Sequence, residues 1–90
     1  MSTLELDDDY LEPVRAECTD EELIVSLMDG RRIITPLWWY PFLVRATKAQ
    51  RDNIDLHVLG VWWPDLDEGL SINGMLSGAK ASNAKEPVKA

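Results

Sequence analysis

Apolar and polar side chains alternate along three successive segments in the first half of the chain, residues 14–18, 23–28 and 31–35. This period of two is typical of half-buried strands, with apolar side chains at the even positions of the first segment and a clear apolar face in the second. Asp29 and Gly30 separate the second and third segments. Asp-Gly is a strong hairpin signal because both central positions of the tight turn need positive φ. The pattern therefore predicts three antiparallel strands.

The pattern changes after Pro36, which ends the third strand because proline has no backbone N–H to donate to a sheet. Residues 37–46 are predicted to form a short helix, which tolerates Pro41 only within its first turn. Thr47 is placed to cap a second helical turn over residues 48–53. Two short helices are therefore expected in the middle of the chain.

A second apolar stretch, residues 56–63, is partly β-branched and is stopped by Pro64, which predicts a fourth strand. Ser71 can cap a last helix over residues 72–76, and Gly78 supplies the stop signal for that helix. The predicted fold class is α+β: a small antiparallel meander of about four strands with two or three short helices on one face.

Ninety residues are enough for one domain and too few for two. We expect a flexible acidic N-terminus over residues 1–12, a single α+β domain over residues 13–78 and a disordered basic tail over residues 79–90. The N-terminus lacks the basic start and apolar core of a secretion signal, and the lone Cys18 cannot form an internal disulfide. These features favour a cytoplasmic protein without a membrane span.

The net charge of −7 is unevenly distributed, because residues 79–90 carry +2 and the rest of the chain carries −9. An acidic body disfavours nucleic-acid binding, which depends on clustered lysine and arginine. It favours a basic protein partner, attracted by a field that weakens in salt. The alternative interpretation is that negative charge only keeps a small protein soluble.

Two dense motifs, residues 29–41 and 61–76, contain all four tryptophans of the chain. Together they resemble domain-of-unknown-function family 2442, a family of short bacterial proteins, over roughly residues 12–78. The matching positions are Asp29, Gly30, Arg31, Ile33, Pro36, Leu37, Trp39, Tyr40, Pro41, Leu43, Ala46, Thr47, Arg51, Trp63, Pro64, Asp65, Leu66, Asp67, Glu68, Leu70, Ser71, Gly74, Met75 and Leu76. The resemblance implies a small α+β domain with no established activity. Genes of this family often sit beside a gene for a second small protein, in pairs that look like toxin–antitoxin modules.

Three bulky aromatic residues stand where the family pattern tolerates small or polar residues: Trp38, Phe42 and Trp62. Trp38 and Phe42 are four residues apart and would share one face of a helix, whereas Trp62 would point away from whatever its strand neighbours bury. Gly69, where an acidic residue is common, and residues 56–59 also depart from the pattern. Extra aromatic side chains exposed together would form a surface typical of a binding site.

Arg45 adds a charge to this predicted surface, and the partner-binding residues expected are therefore Trp38, Phe42, Trp62 and Arg45. With Lys48 and Arg51, Arg45 could hold phosphate or an acidic partner, or simply form the solvated face of the helices. The alternative to a shared binding surface is that the three extra aromatic residues are exposed one by one, or that they are buried in the core. Trp39, Tyr40 and Trp63 are expected to build the core between sheet and helices.

Few residues are available for chemistry. Residues 65–69 are acidic but do not have the spacing of a calcium loop, so a solvated turn before a helix N-terminus is the simpler interpretation. His57 is the only histidine, and Cys18 fits a small residue of a strand. There is no nucleophile–base pair, glycine-rich phosphate loop or zinc-ligand cluster in the sequence. We expect no catalytic residues, no metal site and no cofactor.

The function that follows is a non-catalytic protein-interaction domain, the antitoxin-like member of a small bacterial two-gene module. Its partner would be a basic protein, the product of an adjacent gene, or a second copy of the chain in a homodimer. The alternative is an acidic inhibitor or regulator that blocks a nucleic-acid-binding surface on a partner protein. A DNA-binding regulator is a third possibility, disfavoured by the charge and by the absence of a helix-turn-helix pattern.

Overall fold

The first half of the chain forms a three-stranded antiparallel sheet in the computed structural model, which describes residues 11–87. Its strands are β1 (Pro13–Cys18), β2 (Glu22–Leu27) and β3 (Arg32–Pro36), joined in sequence order with β2 in the centre. The three antiparallel strands expected from the alternating pattern are confirmed. The odd-numbered side chains of β2 point into the hydrophobic core: Leu23, Val25 and Leu27.

Strand β1 departs from its predicted alternation of buried and exposed side chains at its N-terminal end. The register with β2 shifts between Pro13 and Arg15, which is the signature of a β-bulge. As a result Pro13 is buried opposite Leu27, whereas Val14 is 50% exposed. The expectation that Val14 joins the buried face is therefore wrong, because the extra residue of the bulge reverses the side to which it points.

The β2–β3 hairpin has a different turn from the one predicted. Gly30 has φ +93°, but Asp29 does not share a positive φ, so only one position is left-handed. The amide of Gly30 donates to the carbonyl of Leu27 at 3.0 Å, and the amide of Leu27 donates to the carbonyl of Arg31 at 2.8 Å. This is a three-residue loop with a left-handed glycine at its end. Asp29 contributes through its carboxylate, which accepts the backbone amide of Arg31 at 3.0 Å.

The helix predicted over residues 37–46 is two shorter elements. A 3-10 helix (Leu37–Trp39) and helix α1 (Pro41–Val44) are separated by Tyr40, whose φ of −128° and ψ of 86° are not helical. Proline disfavours the helical conformation for the residue before it and cannot donate an amide to the preceding turn. A single helix through this segment was therefore the wrong prediction, although Pro41 does occupy the first turn of α1.

Helix α2 (Lys48–Asp52) begins where the sequence predicted it. The Thr47 hydroxyl accepts the amide of Gln50 at 3.1 Å, and the Gln50 side chain accepts the amide of Thr47 at 2.9 Å. This reciprocal pair is a capping box, which satisfies two backbone donors that a helix N-terminus leaves free. The helix ends one residue earlier than predicted, with Asn53 as its C-cap.

The second half of the chain forms another three-stranded antiparallel sheet, β4 (Asp55–His57), β5 (Gly60–Trp63) and β6 (Glu68–Ser71), in that order. The single strand predicted over residues 56–63 is wrong, because this segment folds back as a hairpin. A Cβ built on Gly60 would lie 2.2 Å from the carbonyl oxygen of Leu70, so β6 approaches β5 closely at a position open only to glycine. Because Gly60 pairs with Ser71 of β6, a new strand begins at Gly60.

Helix α3 (Ile72–Ser77) closes the fold with the predicted caps. The Ser71 hydroxyl accepts the amide of Gly74 at 2.9 Å, and Gly78 has φ +83° at the C-terminal end.

The hydrophobic core lies between the two sheets and the helices α1 and α3. Ten buried residues form one cluster there: Leu23, Val25, Leu27, Leu37, Tyr40, Leu43, Val61, Trp63, Ile72 and Met75.

The predicted α+β class is confirmed, and the described part of the chain has six strands in two sheets instead of about four in one. No helix within the described residues is long and apolar enough to cross a membrane. The first ten residues of the predicted flexible N-terminus and the last three of the predicted basic tail lie outside residues 11–87.

Candidate functional site

The aromatic residues of the two motifs form a continuous series of edge-on and tilted contacts. Neighbouring ring centroids are between 5.6 and 6.4 Å apart. The series runs in the order Trp38, Trp39, Tyr40, Phe42 and Trp63. Tyr40 and Trp63 are buried, Trp39 and Phe42 are half-buried against the core, and Trp38 is half-buried at the outer end. The core role predicted for Trp39, Tyr40 and Trp63 agrees with these positions.

Phe42 therefore differs from the exposed anchor that the sequence suggested. Its ring packs against the ring of Trp63, with centroids 5.6 Å apart at an angle of 71°. Trp38 and Phe42 do not share a helix face, because the non-helical Tyr40 lies between their two helical segments. Only part of Phe42 remains available to a partner.

Trp62 lies away from this aromatic series, on the face of the second sheet opposite Val61 and Trp63. Val61 and Trp63 are buried, whereas Trp62 is half-buried, as the alternation of a strand requires. Gly69 is its cross-strand neighbour, and a Cβ on that glycine would lie 2.6 Å from Cε3 of the indole. The ring of Trp62 therefore covers the space that Gly69 leaves empty.

The β4–β5 hairpin exposes apolar side chains that no sequence rule had singled out as partner-binding. Val58 and Leu59 at its turn are 65% and 73% exposed, and Leu56 is 42% exposed. The backbone is nevertheless fixed, because the carbonyl of Leu59 accepts the amide of Ile72 at 2.9 Å. We call residues 55–59 together with Trp62 the hairpin surface. The departure of residues 56–59 from the family pattern was the one signal that pointed to it.

A groove of about 360 Å³ lies between α1, β6, α3 and the segment of residues 79–83. Phe42 and Arg45, two of the four predicted partner-binding residues, come together on its α1 side, while Trp38 and Trp62 do not line it. All four residues of β6 contribute to the groove, and Lys80 contributes from the opposite side. The sequence indicated Arg45 but not Lys80, which was assigned to the tail.

The segment after α3 forms one side of the groove and contacts Trp39. The amide of Ala81 donates to the Trp39 carbonyl at 3.1 Å, and Nζ of Lys80 lies 4.7 Å from the centroid of the Trp39 ring. Such a cation over an aromatic face is attracted by the ring quadrupole. Trp39 thus holds Lys80 beside the groove.

Arg51 has a structural position and does not form a cationic binding surface with Arg45. Its guanidinium donates to the carbonyl of Leu43 at 2.9 Å and to that of Val44 at 3.4 Å, at the end of α1. Its own carbonyl accepts the indole N–H of Trp63 at 3.0 Å. Arg45 is exposed and remains the residue of this group that is open to a partner.

Carboxylates from three segments gather around α2. Lys48 pairs with Asp52 at 2.6 Å, and this hydrogen bond raises the pKa of Lys48, with a smaller contribution from Asp20. The side chain of Asn53 donates to Asp65 at 3.1 Å. Within residues 11–87, two of twelve carboxylate side chains form salt bridges, at Asp52 and Asp29. Most of the acidic surface therefore stays uncompensated.

The side chains considered for chemistry are Cys18, His57 and the acidic residues. Burial raises the pKa of Cys18 to about 11, a shift slightly offset by Arg51, so the thiol stays protonated at neutral pH. His57 is exposed on β4. Among residues 11–87 no three His, Cys, Asp or Glu side chains are grouped so that they could hold a metal ion.

These elements define a small α+β domain of two three-stranded sheets whose surface offers an apolar hairpin and a groove. The chain belongs to the family described as protein of unknown function (DUF2442), whose model matches residues 13–81. The description of that family names no activity. No curated protein matches the chain.

Two solved structures share the fold. A crystal structure of a protein of unknown function from Rhodospirillum rubrum ATCC 11170 has a TM-score of 0.70 and 23% sequence identity, covering 81% of this chain and 93% of that chain. A solution NMR structure of an uncharacterized protein from Chromobacterium violaceum has a TM-score of 0.73 and 21% identity, covering 90% of this chain and 78% of that chain. At these identities the likeness concerns the fold alone.

Proposed function

We propose that this chain is a non-catalytic protein-interaction domain, the antitoxin-like member of a small bacterial two-gene module. The observation that carries the proposal is the hairpin surface, where Val58 and Leu59 are 65% and 73% exposed at a turn that the backbone holds in place. Turns of small proteins normally carry polar or glycine residues. Large apolar side chains kept in water there are best explained by a partner that covers them.

The charge around the hairpin surface supports a basic partner. Asp55 begins β4 within the hairpin surface, and Asp65 lies on the turn that follows β5. An apolar centre with a charged rim is the usual anatomy of a protein interface. A partner with basic residues around an apolar pocket would complement both the centre and the rim.

The four residues predicted from sequence contribute unequally to this proposal. Trp62 belongs to the hairpin surface and lies beside Asp55, its neighbour across the strands. Trp38 is half-buried at the outer end of the aromatic series, where it can extend a contact. Phe42 and Arg45 line the groove, which is a separate surface. We therefore place the main partner contact at the hairpin and not at Phe42 or Arg45.

The test is co-expression with the product of the adjacent gene, followed by purification through a tag on this chain. We expect the wild-type chain to retain its neighbour and to relieve growth inhibition by it. A chain with Val58→Ser and Leu59→Ser should still fold. Its affinity for the neighbouring gene product should fall by about 30-fold, because central apolar residues carry most of the binding energy of an interface. It should therefore no longer relieve the growth inhibition.

Ile34→Ser is the matched control, because Ile34 is an apolar residue 53% exposed on the other sheet. It should leave the complex intact. If the doubly substituted hairpin variant retains the partner with wild-type affinity, the hairpin surface is not the contact. If the intact chain neither binds the neighbour nor relieves inhibition, the antitoxin-like role is refuted.

A second candidate function is an acidic inhibitor that covers a nucleic-acid-binding surface on its partner. The carboxylates of Asp20 and Asp65, which form no salt bridge within residues 11–87, favour it. Competition between this chain and a DNA duplex for the neighbouring gene product, measured at two salt concentrations, tests the idea. Competition that weakens in salt supports it, and simultaneous binding of both to the partner contradicts it.

A further inference from the structure

We propose that the groove binds an extended acidic peptide segment of a protein partner, which adds as a further strand to the free edge of β6. This site is distinct from the hairpin surface and would operate whether or not the hairpin binds a neighbouring gene product. Three features of the described residues carry the inference: an edge strand, an apolar lining and a local reversal of charge.

The edge strand supplies the backbone part of the site. In the second sheet β6 pairs only with β5, so its other edge has no strand partner within the described residues. All four of its residues line the groove, which means that the free edge faces the cavity. Peptides that add to a sheet edge gain affinity from main-chain hydrogen bonds and specificity from alternate side chains.

The apolar part of the site comes from both sides of the strand. Phe42 on α1 and Met75 on α3 line the groove, and each is anchored by packing in or against the core. Every second side chain of an extended peptide would therefore meet apolar surface.

The net charge of the groove lining is opposite in sign to that of the rest of the described residues. The groove lining contains two cations, Arg45 and Lys80, and one carboxylate, Glu68. The remainder of residues 11–87 contains six cations and eleven carboxylates. An acidic ligand is thus repelled by most of this surface and attracted to the groove, where Trp39 holds Lys80 in position.

The experiment uses the full chain and a fluorescent nine-residue peptide in which leucine and glutamate alternate, with both ends uncharged. Fluorescence anisotropy should show binding that weakens in salt, while a peptide with lysine for glutamate should not bind. Arg45→Glu should weaken binding of the acidic peptide by about fivefold or more, since a favourable exposed pair becomes a repulsive one. The same variant should gain affinity for the lysine peptide.

Arg32→Glu is the matched control, because Arg32 is an exposed arginine of the first sheet outside the groove. It changes the net charge equally and should alter peptide binding by no more than about twofold. Val58→Ser with Leu59→Ser should leave peptide binding unchanged, which separates this site from the hairpin surface. An equal effect of Arg45→Glu and Arg32→Glu would show that only net charge matters and would overturn the site.

Strand addition has its own test in the peptide, which leaves the protein unaltered. In an extended chain, successive residues present their N–H groups to opposite sides, so only one alternate set can bond β6. Peptides N-methylated at the leucines or at the glutamates should differ, one losing about tenfold or more in affinity and the other staying close to the parent. Equal affinity of the two methylated peptides, or no binding of the parent peptide, would refute the proposal.

Discussion

The indole nitrogen of Trp63 donates a hydrogen bond to the backbone carbonyl of Arg51 at 3.0 Å, and this pair joins the second sheet to the helical segment. The guanidinium of Arg51 donates in turn to the carbonyl of Leu43 at 2.9 Å. One arginine therefore connects β5, α2 and the end of α1. Its charge is directed at the carbonyl oxygens of Leu43 and Val44, at the C-terminal end of α1.

We expect Arg51→Lys to destabilise the protein by about 1–2 kcal/mol. Lysine keeps the charge but cannot place a planar guanidinium against the carbonyls of Leu43 and Val44. The free energy of unfolding in urea measures the effect. Arg32→Lys, on the exposed face of the first sheet, is the control and should change stability by less than about 0.5 kcal/mol. Equal stability of the two variants would mean that the guanidinium contacts contribute little.

Trp62 and Gly69 should be energetically coupled. Gly69→Ala places a methyl group 2.6 Å from the Trp62 ring, so the ring must move; with Trp62→Ser that obstruction is gone. We expect a coupling free energy of about 1 kcal/mol in a double-mutant cycle. Denaturant unfolding of the wild type, the two single variants and the double variant measures this coupling free energy. Additive effects of the two substitutions would show that the indole does not depend on the missing side chain.

Gly60→Ala should destabilise the fold by about 3 kcal/mol, because its methyl group would lie 2.2 Å from the backbone oxygen of Leu70. Backbone atoms in a paired strand cannot move aside as a flexible side chain can. Thermal and urea unfolding are the measurements, with Leu59→Ala as the neighbouring control. The control should stay within about 0.5 kcal/mol of the wild type, since the Leu59 side chain is mostly exposed.

Stability should fall in alkaline solution partly through Cys18. Burial raises the pKa of this thiol to about 11 from 9.0, so the unfolded state loses its proton at a lower pH than the folded state. The contribution is fully present below pH 9.0 and is lost as pH rises towards about 11.

Burial also raises the pKa of Tyr40, so the informative quantity is the difference between wild type and Cys18→Ala. That difference in the free energy of unfolding should move in favour of the alanine variant between pH 9 and 11. A difference that stays constant over this interval would mean that the folded-state thiol titrates normally. Slow alkylation of native Cys18 at pH 8, compared with the urea-unfolded chain, gives an independent reading of the same shift.

Local signals predicted the helix ends well because the bonds involved span only a few residues. Thr47, Ser71 and Gly78 are recognisable in the sequence and form the caps expected, and Gln50 completes the cap at Thr47. The strands β2 and β3 on either side of the hairpin were equally easy to predict from their alternating pattern. What failed there was the turn type, since the sequence Asp29-Gly30 fits both a two-residue turn and the observed three-residue loop.

Long-range pairing explains the larger errors. Residues 56–63 have no glycine, asparagine or aspartate before Gly60, so nothing local indicates the turn at Val58 and Leu59. That turn exists because Gly60 pairs with Ser71 on β6. The groove was predictable only in part for the same reason. Arg45 and Phe42 stood out in the sequence, whereas Lys80 reaches the groove through a contact with Trp39, forty-one positions away.

The outer strands of the first sheet each carry a proline, Pro13 in β1 and Pro36 in β3, and proline at a sheet edge blocks the docking of a further strand. These two residues act as gatekeepers against edge-to-edge aggregation. Strand β6 carries no proline. The edges of the first sheet are therefore closed to a further strand, whereas the four-residue edge of β6 stays open to one.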